Sequence, residues 1–526
     1  NGDGLSDFIC GGSFFKYATA FLQQKDGRFK KQSLLKDTTA PKSAEDMGLL
    51  LFDADNDKDL DLYITRGGFE AKQNTPAYND VLYLNDGSGG FTEAKDGIPA
   101  NTNSKSCVRA SDIDKDGDLD LFVSGRVDPW YYPKPVTSAV YRNDTKDGTI
   151  KFTDVTKEIA APLINIGMVC DAVFSDYDND GWVDLVLAGE WMPITILKNN
   201  KGLFQNATTT ASIGNLLGWW NSILPADIDN DGDIDYICGN LGLNSLYRAT
   251  AETPMHIWGS DFDNNGSYDA IPFLSFPGSF EQPARKTYPA PLRDDIIKQM
   301  IGFRAKYKDY NSYALATMEE VLTEEQRKNA IHLQANYMQS ACFINDGNGT
   351  FTNKPLPLQA QVAPLFGMCA EDYDGDGFTD LVLNGNDFST DVAVGRYDAF
   401  NGLYLKGNGK GDFLPQSILS SGIFIPGNGK ALVKFIAKDS SYCLLASQNK
   451  GPLKLFRLNK KVKAVPVVAT DAVVVVNYKN GAKQRRELYY GASFLSQSER
   501  FIAIDEKIQS IEITDYAGKK RIISLQ

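Results

Sequence analysis

Asp112-Ile-Asp114-Lys-Asp116-Gly-Asp118-Leu-Asp120 runs directly into the apolar stretch Leu121-Phe122-Val123. Five carboxylates in nine residues repel one another, so the segment is costly to fold unless a cation sits among them. Calcium fits this pattern. It takes about six to eight hard oxygen ligands, and a turn kept tight by a Gly can present alternate side chains, a backbone carbonyl and a closing carboxylate. Here the closing acid is Asp120, nine residues into the loop. In a helix-loop-helix calcium site a Glu closes the loop about twelve residues in. That place is held by Val123, inside a strand pattern, so this loop joins two strands.

The loop recurs. Full copies are Asp53, Asp55, Asp57, Asp61; Asp112, Asp114, Asp116, Asp120; Asp176, Asp178, Asp180, Asp184; Asp227, Asp229, Asp231, Asp235; and Asp372, Asp374, Asp376, Asp380. A weaker copy has Asp261, Asp263, Asn265 and Asp269, with a neutral oxygen at Asn265. The copy at Asp53 has Lys58 in the Gly position. Both are expected to bind less tightly. The chain opens inside a seventh copy, Asn1-Gly-Asp3-Gly-Leu-Ser-Asp7, whose first ligand is missing, and is therefore expected to be a fragment or trimmed product of something longer.

Lys plus Arg number 54 against 67 Asp plus Glu, a net charge of −13. Calcium, about one ion per acidic loop, would offset most of that, so the acidity belongs to the sites. No basic surplus points to nucleic acid, and no run resembles a membrane-spanning segment or signal peptide. The seven cysteines form no C-x-x-C pair, sit mostly in strand-like runs, and read as small buried hydrophobes.

Each unit has an apolar strand, the acidic loop, a second strand, a Gly-containing turn and a hairpin such as Val81-Leu-Tyr-Leu-Asn-Asp-Gly-Ser-Gly-Gly-Phe91. Short strands at a period of about 40–60 residues read as an all-β fold, a β-propeller, over residues 1–462. Eight blades are favoured: a truncated unit at 1–31, six with loops, and one without a loop around 430–458. Seven follow if the first unit belongs to a preceding domain. Between Phe276 and Gln339 the strand pattern stops, and Ile296, Met300, Phe303 and Tyr307 form a helical stripe. Thr323-Glu-Glu-Gln326 is a capping box. This helical insertion, 277–339, is expected within the sixth blade, packed on the propeller, with that blade's outer strands resuming at Ser340. Residues 463–526 change to alternating strands with Asn-Gly and Ala-Gly turns, the pattern of a small β domain.

The acidic loops resemble FG-GAP/VCBS repeats of the kind found in integrin α-subunit propellers. Gly189-Glu-Trp-Met-Pro193, Gly218-Trp-Trp-Asn221, Gly239-Asn-Leu-Gly242 and Gly395-Arg-Tyr-Asp398 resemble a bacterial subfamily of large exported VCBS-repeat proteins. Members of that subfamily often end in an ASPIC/UnbV domain, and Gly491 to Ser498 is similar to its signature. The match departs at Arg500-Phe-Ile-Ala503, where that family usually has His-Phe-Gly.

The turns after the second strands carry Arg66, Arg126, Glu190 with Trp191, Asn240, and Asn386 with Asp387. They are expected on one face, opposite the acidic loops, with Pro129-Trp130-Tyr-Tyr-Pro133 extending it. Aromatics with Arg, Asn and Asp around a shallow funnel suit sugar or peptide recognition. The competing reading is that Trp191, Trp219 and Trp220 fill gaps between blades. The two histidines, His256 and His332, lie far apart in sequence, and no nucleophile elbow or metalloprotease motif is present. The sequence thus reads as a calcium-stabilised extracytoplasmic binding or scaffold protein recognising a glycan or protein partner through one propeller face. The alternatives are a polysaccharide lyase or hydrolase on a calcium-loaded propeller, and a structural spacer. Loops this exposed imply extracellular-grade affinities of about 10⁻⁴ to 10⁻³ M. The expected location is therefore the bacterial cell surface or periplasm, in association with a larger outer-membrane assembly.

Overall fold

The computed structural model describes residues 2–35, 42–277, 284–392 and 394–525; Asn1, which opens the partial acidic loop, and 278–283, within the expected insertion, lie outside them. The chain folds into antiparallel sheets in which the acidic loops connect the first and second strands. The second blade shows the plan. Glu45–Phe52 lies innermost, followed outward by Asp61–Gly67, Val81–Asn85 and Phe91–Glu93. The third blade begins with Ser104–Ser111, the fourth with Met168–Ser175, the fifth with Ser222–Ala226, the sixth with Leu365–Glu371 and the seventh with Gly429–Ile436. These innermost strands are neighbours in that order. The first blade, Phe8–Cys10, Thr19–Gln23 and Phe29–Ser33, closes the circuit. Its Ala18 and Ala20 pack with Leu62 and Ile64 of the second blade, and its Phe8 and Phe29 pack with Phe435 and Cys443 of the seventh.

Among the described residues the circuit holds seven sheets, and the unit that leaves it is not the first. The strand Asp235–Gly239 pairs with Ala341–Asn345, Cys238 opposite Ala341, so the strands resuming after the insertion complete the fifth blade. The intervening chain makes its own sheet of Met255–Ser260, Asp269–Phe276, Lys286–Pro289 and Ile331–Ala335, and the Asp261 loop belongs to it. The helical stripe packs on this inserted sheet rather than on the propeller: Ile296, Met300, Phe303 and Tyr307 are buried with Phe262, Ile271 and Phe273. Alternation along the strands explains both faces. Trp258, Ile271 and Phe273 face the helices, while Met255, Ile257 and Leu274 pack with Met168, Trp191 and Leu365 of the ring. Thr323 and Gln326 form the expected reciprocal cap. Six of the seven cysteines are buried and all are free. Among the described residues no helix is long and apolar enough to cross a membrane.

After the ring the chain forms a two-stranded pair, Lys463–Pro466 with Phe501–Ile504, and a sheet ordered Lys483–Glu487, Asp471–Tyr478, Ile508–Asp515, Lys520–Ser524. From the strand Lys483–Glu487 to Phe501, residues 484–500 run across the axis of the ring. The Tyr490 carbonyl accepts from the Ala110 amide of the third blade at 3.2 Å. Gln497 bonds the Leu51 amide and carbonyl of the second at 2.6 and 2.9 Å. The Ser493 amide donates to Ile223 of the fifth blade, and its hydroxyl accepts from Met368 of the sixth. The Glu499 carboxylate accepts from Ile436 of the seventh and from the Ser6 hydroxyl of the first. Arg109, fully buried in the third blade, pairs with Asp171 of the fourth and donates to the Ser493 carbonyl at 2.7 Å.

This arrangement makes Arg109 a sensitive charge in the ring. Removing one partner of a buried ion pair strands the other, at a cost of about 3–5 kcal/mol. Arg109→Met is expected to lower stability by that amount in urea unfolding. Arg142→Ala, which breaks an exposed pair with Asp144, should cost about 0.5 kcal/mol. Equal effects of the two would contradict the axial role.

Candidate functional site: the acidic loops and the opposite rim

Each acidic loop folds on its own amides. The first carboxylate accepts from the sixth residue, as in Gly117 to Asp112 at 3.2 Å, Gly181 to Asp176 at 3.0 Å and Gly377 to Asp372 at 2.9 Å. The sixth residue is left-handed, with φ of 103° at Gly117, and Lys58 is forced to φ 79° in the same place. The side-chain oxygens of Asp53, Asp55 and Asp57, of Asp112, Asp114 and Asp120, of Asp176, Asp178 and Asp184, of Asp227, Asp229 and Asp235, and of Asp261, Asp263 and Asp269 each gather within 4.8 Å, a spacing that can hold a metal ion.

The donor set fits a hard divalent cation. Buried Oδ1 atoms of Asp112, Asp176 and Asp227, at the first position, and of Asp178 and Asp229, at the third, have no hydrogen-bond partner. Carboxylate oxygens left this way call for a cation. When bound, calcium would supply the positive charge that lets these oxygens crowd together. In two loops a lysine supplies part of that charge: Lys198 pairs with Asp178 and Asp180, and Lys406 with Asp374 and Asp376.

The ninth acid has a second duty that its spacing does not announce. Asp120 accepts from Ile113 in its own loop at 3.2 Å and from Asn143 on the third strand at 2.8 Å; Asp61, Asp184, Asp235 and Asp380 repeat the pair of bonds. These acids bolt the loop to the next hairpin. The Asn that follows reaches the neighbouring blade: Asn199 Nδ2 donates to Ile113 at 2.9 Å, and Asn345 Nδ2 to Tyr177 at 2.7 Å. The recurring Asn at these hairpins was the only sequence signal for this contact.

Burial pushes the carboxyl of Asp120 up to about 8, Asp184 to about 9, Asp235 to about 8 and Asp227 to about 7. Without an ion, such raised carboxyls stabilise the fold fully below about pH 4, the unfolded value, and the contribution is lost as pH rises through 7 to 9.

On the opposite rim the predicted ligand residues divide. Arg66 is buried, paired with Asp46, itself bonded to Lys42 at 2.8 Å. Asn240 is buried, accepting from Trp219 and Leu241 and donating to Tyr337 and Gln339. Asn386 is buried and bonds Phe400 and Gly427. Both amides close turns, which leaves them no group for a ligand. Trp191 is buried rather than exposed, packed on Trp219 at 5.2 Å beneath the inserted sheet, its Nε1 donating to Tyr132 at 2.6 Å. The inserted sheet therefore occupies the part of the funnel to which Trp191 and Asn240 were assigned. Asp387 stays part-exposed, 3.6 Å from Lys430.

Arg126 and Glu190 do meet, at 2.5 Å, across the third and fourth blades, and Tyr132 donates to the other Glu190 oxygen at 3.0 Å. Trp130 is 68% exposed with φ 75°, and Phe69, at the corresponding turn of the second blade, is also 68% exposed. Gln73 joins the two turns through Asp128 at 2.8 Å. The Gly-Gly before Phe69 gave no reason to single it out.

Residues 1–64, 73–123 and 176–238 match the family described as FG-GAP-like repeat. The chain carries FG-GAP-like repeats. These segments hold the loops beginning at Asp53, Asp112, Asp176 and Asp227. No curated protein sequence matches the chain. Among solved structures it is similar to the V. cholerae biofilm matrix protein Bap1, at 11% identity over 85% of this chain and 83% of that one, TM-score 0.34. It is similar to the exotype rhamnogalacturonan lyase YesX at 13% identity over 93% and 81%, TM-score 0.30. It is similar to a fructofuranosidase from Schwanniomyces occidentalis at 11% identity over 91% and 89%, TM-score 0.24.

Two outcomes follow for the repeats. Chelation of calcium should lower the melting temperature, and the loss should be larger at pH 8 than at pH 5, because the ion needs the carboxylates ionised and the ion-free protein weakens as pH rises. Calorimetry at both pH values checks this, and identical curves with and without chelator would rule out the ions. Separately, Lys58→Gly should stabilise the calcium-loaded protein by about 1 kcal/mol in urea unfolding, by releasing the left-handed strain.

Proposed function

We propose that this chain is a calcium-stabilised, exported binding or scaffold protein that recognises a glycan or protein partner on the rim opposite its acidic loops. The observation that carries the reading is Trp130. A bulky, exposed aromatic in a left-handed backbone is strained, and such strain concentrates at functional positions. Phe69 and Arg126 share its rim, and two exposed rings with a part-exposed guanidinium make the apolar and polar halves of a recognition surface. Glu190 is engaged by Arg126 and Tyr132, and burial with the Glu190 charge holds the Tyr132 hydroxyl far above its usual range. That favours binding over acid-base chemistry at this rim.

The location follows from affinity. Short, solvent-facing loops of weak calcium affinity fill only where calcium is abundant, which favours the cell surface or periplasm and membership of a larger outer-membrane assembly. Residues 463–526 are read as an ASPIC/UnbV-like domain on the similarity of Gly491 to Ser498, within a bacterial exported subfamily.

Phe69→Ala together with Trp130→Ala should leave the melting temperature within about a degree, because exposed rings contribute little to the core. On a glycan array and a panel of purified surface proteins, the same variant should lose at least about tenfold in affinity for whatever the parent binds. Undiminished binding by the double variant would remove this rim from consideration.

A further inference from the structure

The sheet that follows the ring does not meet the acidic loops flush. Between the loops of the third and fourth blades, at Asp112 and Asp176, and this sheet lies a cleft of about 410 Å³, within the range of small-molecule sites. Its roof is one face of the sheet, set by register. Val475 stands between Arg485 and Glu512, and Val473 between Glu487 and Thr514, all lining the cleft. The alternate residues Val474 and Val476 turn into the sheet's own core. The floor comes from the loops and includes Asp112, Lys115 and Asp176.

The polar groups in this cleft are incompletely used. Glu487, its side chain 6% exposed, spends Oε1 on the Asp176 amide at 3.2 Å and on Arg485 at 3.1 Å, while its buried Oε2 has no partner. Arg485 Nε is likewise buried without a hydrogen-bond partner, while the Tyr489 hydroxyl lies against the Glu487 carboxylate. Such atoms are left in folded proteins where a ligand or water completes them. A carboxylate oxygen outside hydrogen-bond geometry and an unpaired guanidinium N–H beside two valines call for a partner that donates, accepts and has an apolar face. The cations of the cleft are already engaged, Arg485 by Asp176 and Glu487, Lys520 by Glu512, and Lys115 over the Trp182 ring, so none is left free to hold an anion.

We infer that this cleft binds one residue of a neutral saccharide, its hydroxyls bonding Glu487 and Arg485 and its C–H face lying on Val473 and Val475. The site is on the opposite mouth from Trp130 and stands independently of the function proposed for that rim. The test is saturation-transfer NMR on the full, calcium-loaded chain with a panel of neutral hexoses, deoxyhexoses and their disaccharides. At least one sugar should receive saturation. Val475→Trp, which fills the cleft from an outward-facing position, should abolish it. Glu487→Gln should weaken binding about tenfold by removing the charge from the hydrogen bond. Melting temperatures of both variants establish folding; if Glu487→Gln is destabilised, Val475→Trp alone decides. Phe69→Ala with Trp130→Ala should leave the signal intact, so failure here and failure at the other rim are read separately. No saturation of any sugar, transfer that survives Val475→Trp, or preference for a glutamate-rich peptide over every sugar would each overturn the assignment.

Discussion

Every innermost strand of the ring leaves one edge of its ladder facing the axis, and the amides and carbonyls on that edge need partners. Residues 484–500 supply them. Five residues of a single stretch, Tyr490, Ser493, Gln497, Ser498 and Glu499, donate or accept hydrogen bonds with six of the seven blades, and Arg109 with Asp171 ties the fourth to the same stretch. Ser493 and Leu495 adopt left-handed backbone to do so, at φ 66° and 52°. At Ser493 the strain is supported because the residue is held on several sides: its hydroxyl, amide and carbonyl all have partners on different blades. The stretch after the ring is therefore part of the ring's closure, and the first and seventh blades, each three-stranded, are joined through Glu499 as well as through Phe29 and Phe435.

What the sequence disclosed is what local chemistry determines. Alternating carboxylates with a Gly or Asn at left-handed positions specify the loop, and the flanking apolar runs specify its two strands, so the loops at Asp53, Asp112, Asp176, Asp227 and Asp372 lie in blades. The loop at Asp261 has the same local grammar and lies in an inserted sheet. Nothing within the unit distinguishes the two cases. The deciding contact is Cys238 opposite Ala341, more than a hundred residues apart, and strand alternation carries no information about which distant strand is the neighbour. The same limit explains the packing of the helical stripe, whose spacing revealed a buried face without revealing that Phe262, Ile271 and Phe273 would cover it.

Residue type was a weaker guide to function than position in the hydrogen-bond network. Asn240, Asn386 and Arg66 are types that suit ligand binding, yet each is consumed by turns or by a neighbouring carboxylate once its surroundings are known. Arg126, Glu190 and Trp130 keep exposed atoms. The difference lies in whether a polar side chain has backbone groups within reach, which a turn sequence does not reveal.

Closure from both ends has a consequence for where recognition can occur. The stretch 484–500 occupies the axis on the side of the acidic loops, and the inserted sheet packs over Met168 and Leu365, at the starts of inner strands, and Trp191, at the end of a second strand, on the other. A continuous channel through the ring is thus not the surface on offer. Peripheral surfaces remain, among them the turns of the second and third blades, exposed at Phe69 and Trp130, and the gap where the last sheet spans the loops of the third and fourth blades. The acidic loops bear on the second of these directly, since Asp112 and Asp176 form its floor while their remaining oxygens face the ion position. Loading the loops would fix that floor and neutralise its acids together, so the cleft's shape and its charge are set by one event.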